Sequence, residues 1–283
     1  MIAFENIEVM GFEQAIRGMR NPMNSWYKSD SFFFEYSTGN DELVCHDIGG
    51  YKHKIIPEDW AADVDRNELL GKNDLELMKK LSAAGSDHAK FRRMITVYMD
   101  IEAPLYWWKE FDTYKVGTVA NSCSTMHKIA DKEFTLEDFS IEHLISEDHS
   151  CDIYIDDVFK ISPATIDEIY CMGGVENSIT PIGFMSATIE MLNTCRTLYL
   201  KTHDKRYWWQ MIQLLPSSYN QKRTVMLNYE VLSNIYHSRH NHKLDEWVGF
   251  CKLITVLPYA EGIIFNEGEN DFCSEAERRE DDE

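Results

Sequence analysis

The stretch from Leu215 to Arg239, LPSSYNQKRTVMLNYEVLSNIYHSR, constrains the fold more than any other. Pro216 stops a preceding helix, because it lacks an amide proton and its ring clashes with the turn before it. A run of strand formers follows (Thr224, Val225, Met226, Leu227), and then a helical segment from Tyr229 to Ser238 that ends in Arg239. The apolar period changes at Asn228, which predicts a strand handing over directly to a helix. Lys222 and Arg223 stand at the start of the stretch and Arg239 at its end. Such a junction suits an anion, since helix N-termini and guanidinium forks both favour phosphate. An ordinary core strand and surface helix accounts for the same spacing.

Composition narrows the partners. A formal charge of −20 sets the surface against a phosphate backbone and argues against general nucleic-acid binding. Part of that charge lies at 266–283, which ends ERREDDE and reads as a disordered, solvated tail. No apolar run approaches the roughly 20 residues needed to span a membrane. The N-terminus, MIAFENIEVMGF, has no basic region followed by an apolar core, so it is not read as a secretory signal. Seven cysteines, spread out and without a CxxC pair, fit reduced thiols in a cytoplasm. With 283 residues the chain is long enough to bury a sizeable core.

Along the chain, Ile2–Met10 reads as a strand and Ala15–Arg20 as a short helix ended by Asn21-Pro22. Residues 24–70 hold an aromatic cluster (Phe32, Phe33, Phe34, Tyr36) and two turn signals but little periodicity. A helix is expected over Asp74–Ala84, and a strand rich in β-branched and aromatic residues over Phe91–Glu102. Ala103-Pro104 opens an aromatic helix, and Thr113–Lys128 reads as a polar loop. Further helices are expected at Phe134–Glu147, Ser162–Met172 (broken by Gly173-Gly174), Ile182–Leu200, Arg206–Leu215 and Lys243–Leu257. The sum is an α+β domain, an antiparallel or mixed sheet flanked by a helical majority.

The motifs for chemistry are sparse: there is no Walker loop, GxGxxG, nucleophile elbow or HExxH. His237, His240 and His242 with Asp245 invite a metal, but their gaps do not share one helical face and Arg239 among them disfavours a cation. Cys123, in a Ser/Thr-rich loop with Lys115, is a candidate nucleophile, since nearby cations lower a thiol's pKa. An inert loop cysteine is the alternative. His88, between Asp87 and Lys90, reads by itself as a surface histidine.

The order of segments carries more than any one motif. AIRGMR at Ala15–Arg20 is followed by a helix, His88, a long strand and Ala103-Pro104 with its aromatic helix. Leu215-Pro216, Asn228, Leu232, Asn234 and Arg239 then follow at fixed spacing. In these features the chain resembles the flavin-dependent thymidylate synthases (thymidylate synthase-complementing proteins), over about 8–23, 75–128 and 205–256. The first segment is similar to that family's Ala-x-Arg-x-x-Arg. The resemblance implies one such domain over 1–265, with insertions near 24–70 and 129–180.

The departures are as informative. The family's Arg-His-Arg-x-x-Ser-x-Asn-x-x-Ser-x-Arg falls, ungapped, on TYKVGTVANSCST at Thr113–Thr125. Thr113, Tyr114 and Lys115 replace Arg-His-Arg, Thr118 the first serine, Ala120 the asparagine, Cys123 the second serine and Thr125 the last arginine. A slip of one residue would instead offer Asn121 and Ser124. Arg17, His127 and Lys128 are candidates to repair the lost charges. The family's arginine after the Leu-Pro turn is Lys222 here, with Arg223 beside it. Lysine holds phosphate as a point charge without a bidentate fork.

What the resemblance implies is transfer of a one-carbon unit from methylene-tetrahydrofolate to dUMP, with FAD as cofactor and NADPH as reductant. His88, Asn228 and Tyr114 would orient flavin; Arg239, Lys222, Arg223, Glu110 and Thr118 would hold the nucleotide; Cys123 and Lys115 would line the reacting centre. It implies no metal, and a cytoplasmic homotetramer with sites built between subunits. The rewritten signature leaves open another pyrimidine nucleotide, or a non-catalytic binding or structural subunit.

Overall fold

The computed structural model describes residues 2–36, 43–48, 52–53, 68–145 and 180–266. The expected helix at Ser162–Met172, its glycine break and the tail beyond Asn266 lie outside them. The chain divides into two compact units. The first comprises 1–3, 101–113 and 121–223; the second comprises 4–100, 114–120 and 224–283. Four of the boundaries fall within strands, one each in β1 (Ala3–Met10), β6 (Thr96–Pro104), β7 (Val119–Ser122) and β8 (Asn220–Asn228), and the fifth lies between Thr113 and Tyr114; the order of these strands is β1-β6-β8-β7. The fold is α+β, and among the described residues no helix is long and apolar enough to cross a membrane.

In the second unit, α1 (Phe12–Arg20) and α2 (Lys72–Ala83) bury Phe12, Ile16 and Met78. The strand expected over Phe91–Glu102 begins later, at Thr96, and Ala89–Met94 is a short 3-10 turn instead. The cause is Arg92, whose side chain is drawn inward. Its Nε donates to Ser82 Oγ and its NH1 to Ser233 Oγ, each at 3.3 Å, and NH1 lies 3.7 Å from Glu230. Burial holds its pKa below the ordinary value, with the Glu230 carboxylate pulling the other way. From Val97 the strand alternates as a half-buried strand should: Val97, Met99, Ile101 and Ala103 are buried, whereas Tyr98 and Glu102 are exposed.

Residues 24–70, unreadable by period, contain a second sheet of order β4-β3-β2-β5: β2 (Phe32–Tyr36), β3 (Leu43–Asp47), β4 (Lys52–His53) and β5 (Glu68–Leu69). Phe34 pairs with Cys45 in the antiparallel register of β2 and β3. Phe33 and Phe34 point to opposite faces and are both buried, so the alternation that marks a one-sided strand is lost.

The residues just before β2 surround a buried ion pair. Arg20 donates from Nε to Asp74 Oδ1 at 2.6 Å, and Asp74 also accepts Ser29 Oγ at 2.6 Å, Ser31 Oγ at 2.7 Å and the Asp30 amide at 3.2 Å. Asp74 is fully buried and Arg20 nearly so.

The C-terminal part of this unit is α7 (Tyr229–Arg239) and α8 (Asp245–Thr255), packed through Leu232, Ile235, Tyr236, Trp247, Phe250 and Ile254. β8 ends on Asn228 and α7 begins on Tyr229, where the period predicts the change.

In the first unit, α3 (Leu105–Phe111) buries Trp107, Trp108 and Phe111. Pro104 is the N-cap of this helix and the last residue of β6, so the proline stands just outside the first turn. A hairpin of α5 (Pro181–Thr202) and α6 (Lys205–Leu214) supplies the other core, with Met185, Ile189, Leu192 and Met211 against Ile129, Phe134 and Phe139. Asp204 caps α6 through the Arg206 amide at 2.9 Å.

The helix expected over Phe134–Glu147 is, among the described residues, only a 3-10 turn at Leu136–Asp138. Asn193 of α5 both accepts the Phe134 amide at 2.8 Å and donates to its carbonyl at 2.9 Å. Asp138 turns back to accept the Thr135 amide at 2.9 Å and to pair with Lys132. These bonds take the backbone and carboxylate groups a helix would need. The polar loop expected at Thr113–Lys128 also holds structure, β7 and α4 (Thr125–Lys128). All four residues of β7 are exposed, so its pattern shows no apolar alternation, and α4 is capped by Ser124 Oγ on the His127 amide.

Candidate functional site

The candidate residues fall into a cluster in each unit. In the second unit the spine is α7. Asn228 has extended backbone (φ −125°, ψ 168°), and its Oδ1 accepts the Val231 amide at 3.0 Å, satisfying one of the helix's otherwise unpaired donors.

Residues 114–120 run along this helix. Gly117 meets its N-terminal end: φ is +81°, and a Cβ would stand 2.7 Å from Asn228 Nδ2 and 3.2 Å from Val231 Cγ2. Tyr114 meets the C-terminal end, where its Oη accepts Arg239 Nε at 3.1 Å. An eleven-residue helix is roughly 16 Å long, more than three residues of extended chain reach. The length of the Tyr114 and Arg239 side chains closes the difference.

Arg239 is engaged on several sides. NH1 lies 2.9 Å from His242 Nε2, and the guanidinium stands 4.8 Å from the Trp247 ring, which packs edge-on to Tyr114. Behind it, Cys251 is buried and its thiol is pushed up to about 12, the Arg239 charge pulling the other way. A thiol so protonated is a poor nucleophile. Among the described cysteines, iodoacetamide at neutral pH should modify exposed Cys123 first and leave Cys251 intact until denaturant is added, as peptide mass mapping would show.

Thr118 contributes a side-chain oxygen that is buried and has no hydrogen-bond partner among the described residues. Leaving a buried polar group unpaired costs about 1–3 kcal/mol, so this hydroxyl is suited to a ligand atom. Lys115 and Val116 beside it are exposed. His88 is exposed too, its amide on the Gly85 carbonyl at 3.0 Å, and no described hydrogen bond joins it to Thr118, Asn228 or Arg239.

Gly117→Ala tests the seating of this loop. Strain at positive φ and the short approach to Asn228 predict a loss of about 1–2 kcal/mol, read as a lowered denaturation midpoint, with Gly85→Ala, whose added methyl meets nothing, as the milder control.

In the first unit Cys123 is exposed, and its amide donates to the Lys222 carbonyl at 3.0 Å. Gln221 Nε2 holds the Cys123 carbonyl at 3.1 Å and Thr125 Oγ1 at 2.9 Å. Arg223 is mostly buried. It stacks over Trp108 at 4.1 Å, donates from Nε to Gln221 at 3.0 Å and pairs through NH1 with Asp112 at 2.8 Å. The Glu110 carbonyl accepts the Thr113 amide and hydroxyl, at 3.1 and 2.7 Å. Of the repair candidates, Lys128 pairs with Asp131 at 2.7 Å, while Arg17 reaches Glu13 and the Ile48 carbonyl, each at 3.0 Å.

His237 and His240 place Nδ1 on the carbonyls of Ser233 and Tyr236, at 2.8 and 2.9 Å. Among the described residues no group of three His, Cys, Asp or Glu side chains is arranged to hold a metal. Reading the sequence missed the partners of Arg239. Trp247 looked like helix core, and His242 like a metal candidate. Gly117 was not singled out either, although it is the single glycine of a polar stretch, the usual sign of a positive φ or a close approach.

No family model matches the chain, and no curated protein sequence does. Solved structures do. A flavin-dependent thymidylate synthase, ThyX, from Helicobacter pylori complexed with FAD and dUMP aligns over 90% of this chain and 94% of its own, with 13% identity and a TM-score of 0.50. A second ThyX structure from H. pylori with FAD and dUMP aligns over 94% and 97%, at 13% identity and a TM-score of 0.52. A UMP/dUMP methylase, PolB from Streptomyces cacaoi, bound with 5-Br UMP, aligns at 12% identity and a TM-score of 0.46 over 90% of this chain and 88% of its own. The α+β fold of this chain is that of the ThyX structures.

Proposed function

We propose that this chain binds FAD and a pyrimidine nucleotide, with dUMP the first candidate, and transfers a one-carbon unit from methylene-tetrahydrofolate to it with NADPH as reductant. The observation that carries the reading is the pair of contacts that the 114–120 segment makes with both ends of α7. They bring Thr118 and Asn228 to one end and Tyr114 and Arg239 to the other. The fold shared with structures that hold FAD and dUMP supports it.

The residues present suit both ligands in part. Thr118 Oγ1, buried without a partner among the described residues, is available for a polar edge, and Asn228 Nδ2 faces the same loop. Arg239 offers a fixed cation for a phosphate, and exposed Lys115 a second on a flexible stem. On this reading His88, Asn228 and Tyr114 serve the flavin, while Arg239, Lys222, Arg223, Glu110 and Thr118 serve the nucleotide. Lys115 and Cys123 are the candidate catalytic residues. When bound, the flavin supplies the hydride chemistry; the protein supplies positioning and electrostatics.

One observation favours a second reading. Arg223 is engaged by Asp112, Gln221 and Trp108, and Arg239 by Tyr114, His242 and Trp247. A phosphate must compete with these partners, as expected for a member altered toward another pyrimidine nucleotide or toward binding without turnover. Assay of the purified protein with FAD, NADPH, methylene-tetrahydrofolate and either dUMP or UMP decides. FAD-dependent methylation of dUMP supports the first reading, methylation of UMP alone the altered substrate, and flavin binding without product the non-catalytic subunit.

A further inference from the structure

The first unit contains a cavity of about 410 Å³ between α4 and the α5–α6 hairpin; among the described residues that line it, His127 alone was a candidate above, for repair of the lost charges. We propose that it is a binding site for a flat aromatic ring that carries a carboxylate or phosphate. Its polar lining is His127, His203 and Lys205, its aromatic lining Tyr199 and Trp208, and Ile129 belongs to the buried core beneath. Among the described residues no aspartate or glutamate lines it, in a chain of formal charge −20. The neighbouring carboxylates are turned to other cations: Asp204 grips Arg206 at 2.7 Å, and Asp131 grips Lys128 at 2.7 Å. The cavity is therefore a local cationic exception on an anionic surface, where an anion is attracted rather than repelled.

The aromatic side is equally built. Trp208 Nε1 donates to the Met126 carbonyl at 3.2 Å, which fixes the plane of the indole, and Lys205 Nζ lies 5.7 Å from its ring centre. A fixed ring face beside an ammonium group receives a planar anion by stacking and by charge together. His203 completes the wall from a left-handed backbone (φ +54°), with its amide on the Tyr199 carbonyl at 2.7 Å. Glycine usually takes that position at a helix end, and a histidine there carries a strain that accompanies functional sites. The volume is within the usual range for small-molecule pockets.

Isothermal titration of the full-length protein with 4-aminobenzoyl-glutamate and, separately, nicotinamide mononucleotide tests this. At least one probe should bind with a Kd below about 1 mM. Binding of the first identifies a carboxylate ligand, binding of the second a phosphate. Lys205→Glu, at an exposed position, and Trp208→Leu should each weaken binding at least about tenfold, circular dichroism showing that each variant is folded. Arg239→Ala should leave this binding unchanged, so failure here and failure of the flavin reading are distinguishable. Absence of binding by both probes, full affinity in Lys205→Glu, or loss in Arg239→Ala would overturn the proposal.

Discussion

Arg239→Ala is expected to lower dUMP affinity by about one hundredfold while leaving FAD affinity within a few-fold. A hydrogen bond to a charged group contributes about 1.5–3 kcal/mol, and a phosphate takes two such bonds from one guanidinium. The gross loss exceeds two orders of magnitude, but Arg239 already gives one bond to Tyr114 and another contact to His242, which reduces the net effect. The same geometry predicts the opposite effect for Tyr114→Phe. Removing the hydroxyl takes away one competitor for the Arg239 guanidinium without disturbing the edge-on packing on Trp247, so nucleotide binding should tighten slightly. Arg239→Lys should recover only part of the loss, because an ammonium lacks the planar fork. Fluorescence or calorimetric titration measures all three, and undiminished dUMP affinity in Arg239→Ala removes Arg239 from the site.

The largest effect on stability is expected from Asp74→Ala, about 3–5 kcal/mol. The carboxylate accepts from Arg20, Ser29, Ser31 and the Asp30 amide, and no part of it meets water. Its removal leaves a guanidinium buried beside groups that accept only some of its protons: the Ser25 and Lys28 carbonyls, each at 3.2 Å. For a protein of this size the shift in Tm is on the order of 10 °C. Removing both charges, as in Arg20→Met with Asp74→Leu, should cost much less, since no uncompensated charge remains. Thermal unfolding of the parent and the two variants separates a costly broken pair from a merely lost contact. Equal destabilisation in the single and double variants would refute the argument.

Much of the framework was legible. Asn228 marked the strand-to-helix change because one face of β8 and the core stripe of α7 both carry their period openly. The α5–α6 hairpin was legible for the same reason, although Asp204, which caps α6, read only as part of a turn. The misses share a cause: the local pattern was overruled by partners distant in sequence. Phe91 has the composition of a strand, yet Arg92 is drawn to Glu230 and Ser233 across more than a hundred residues. Phe134 could begin a helix, but its amide and carbonyl are taken by Asn193. β7 has no buried face to read at all. At the candidate site, segment order and spacing singled out Arg239 and Asn228. No pattern could show that Tyr114, His242 and Trp247 would surround that arginine, because the contacts form only when three separate segments meet.

The most direct measurement is absorbance titration of the purified protein with FAD, followed by dUMP, in parent and Arg239→Ala protein. The account predicts a bound flavin spectrum that dUMP perturbs in the parent and does not perturb at the same concentration in the variant. A protein that takes up no FAD, or a flavin spectrum that dUMP perturbs equally in both, would contradict it.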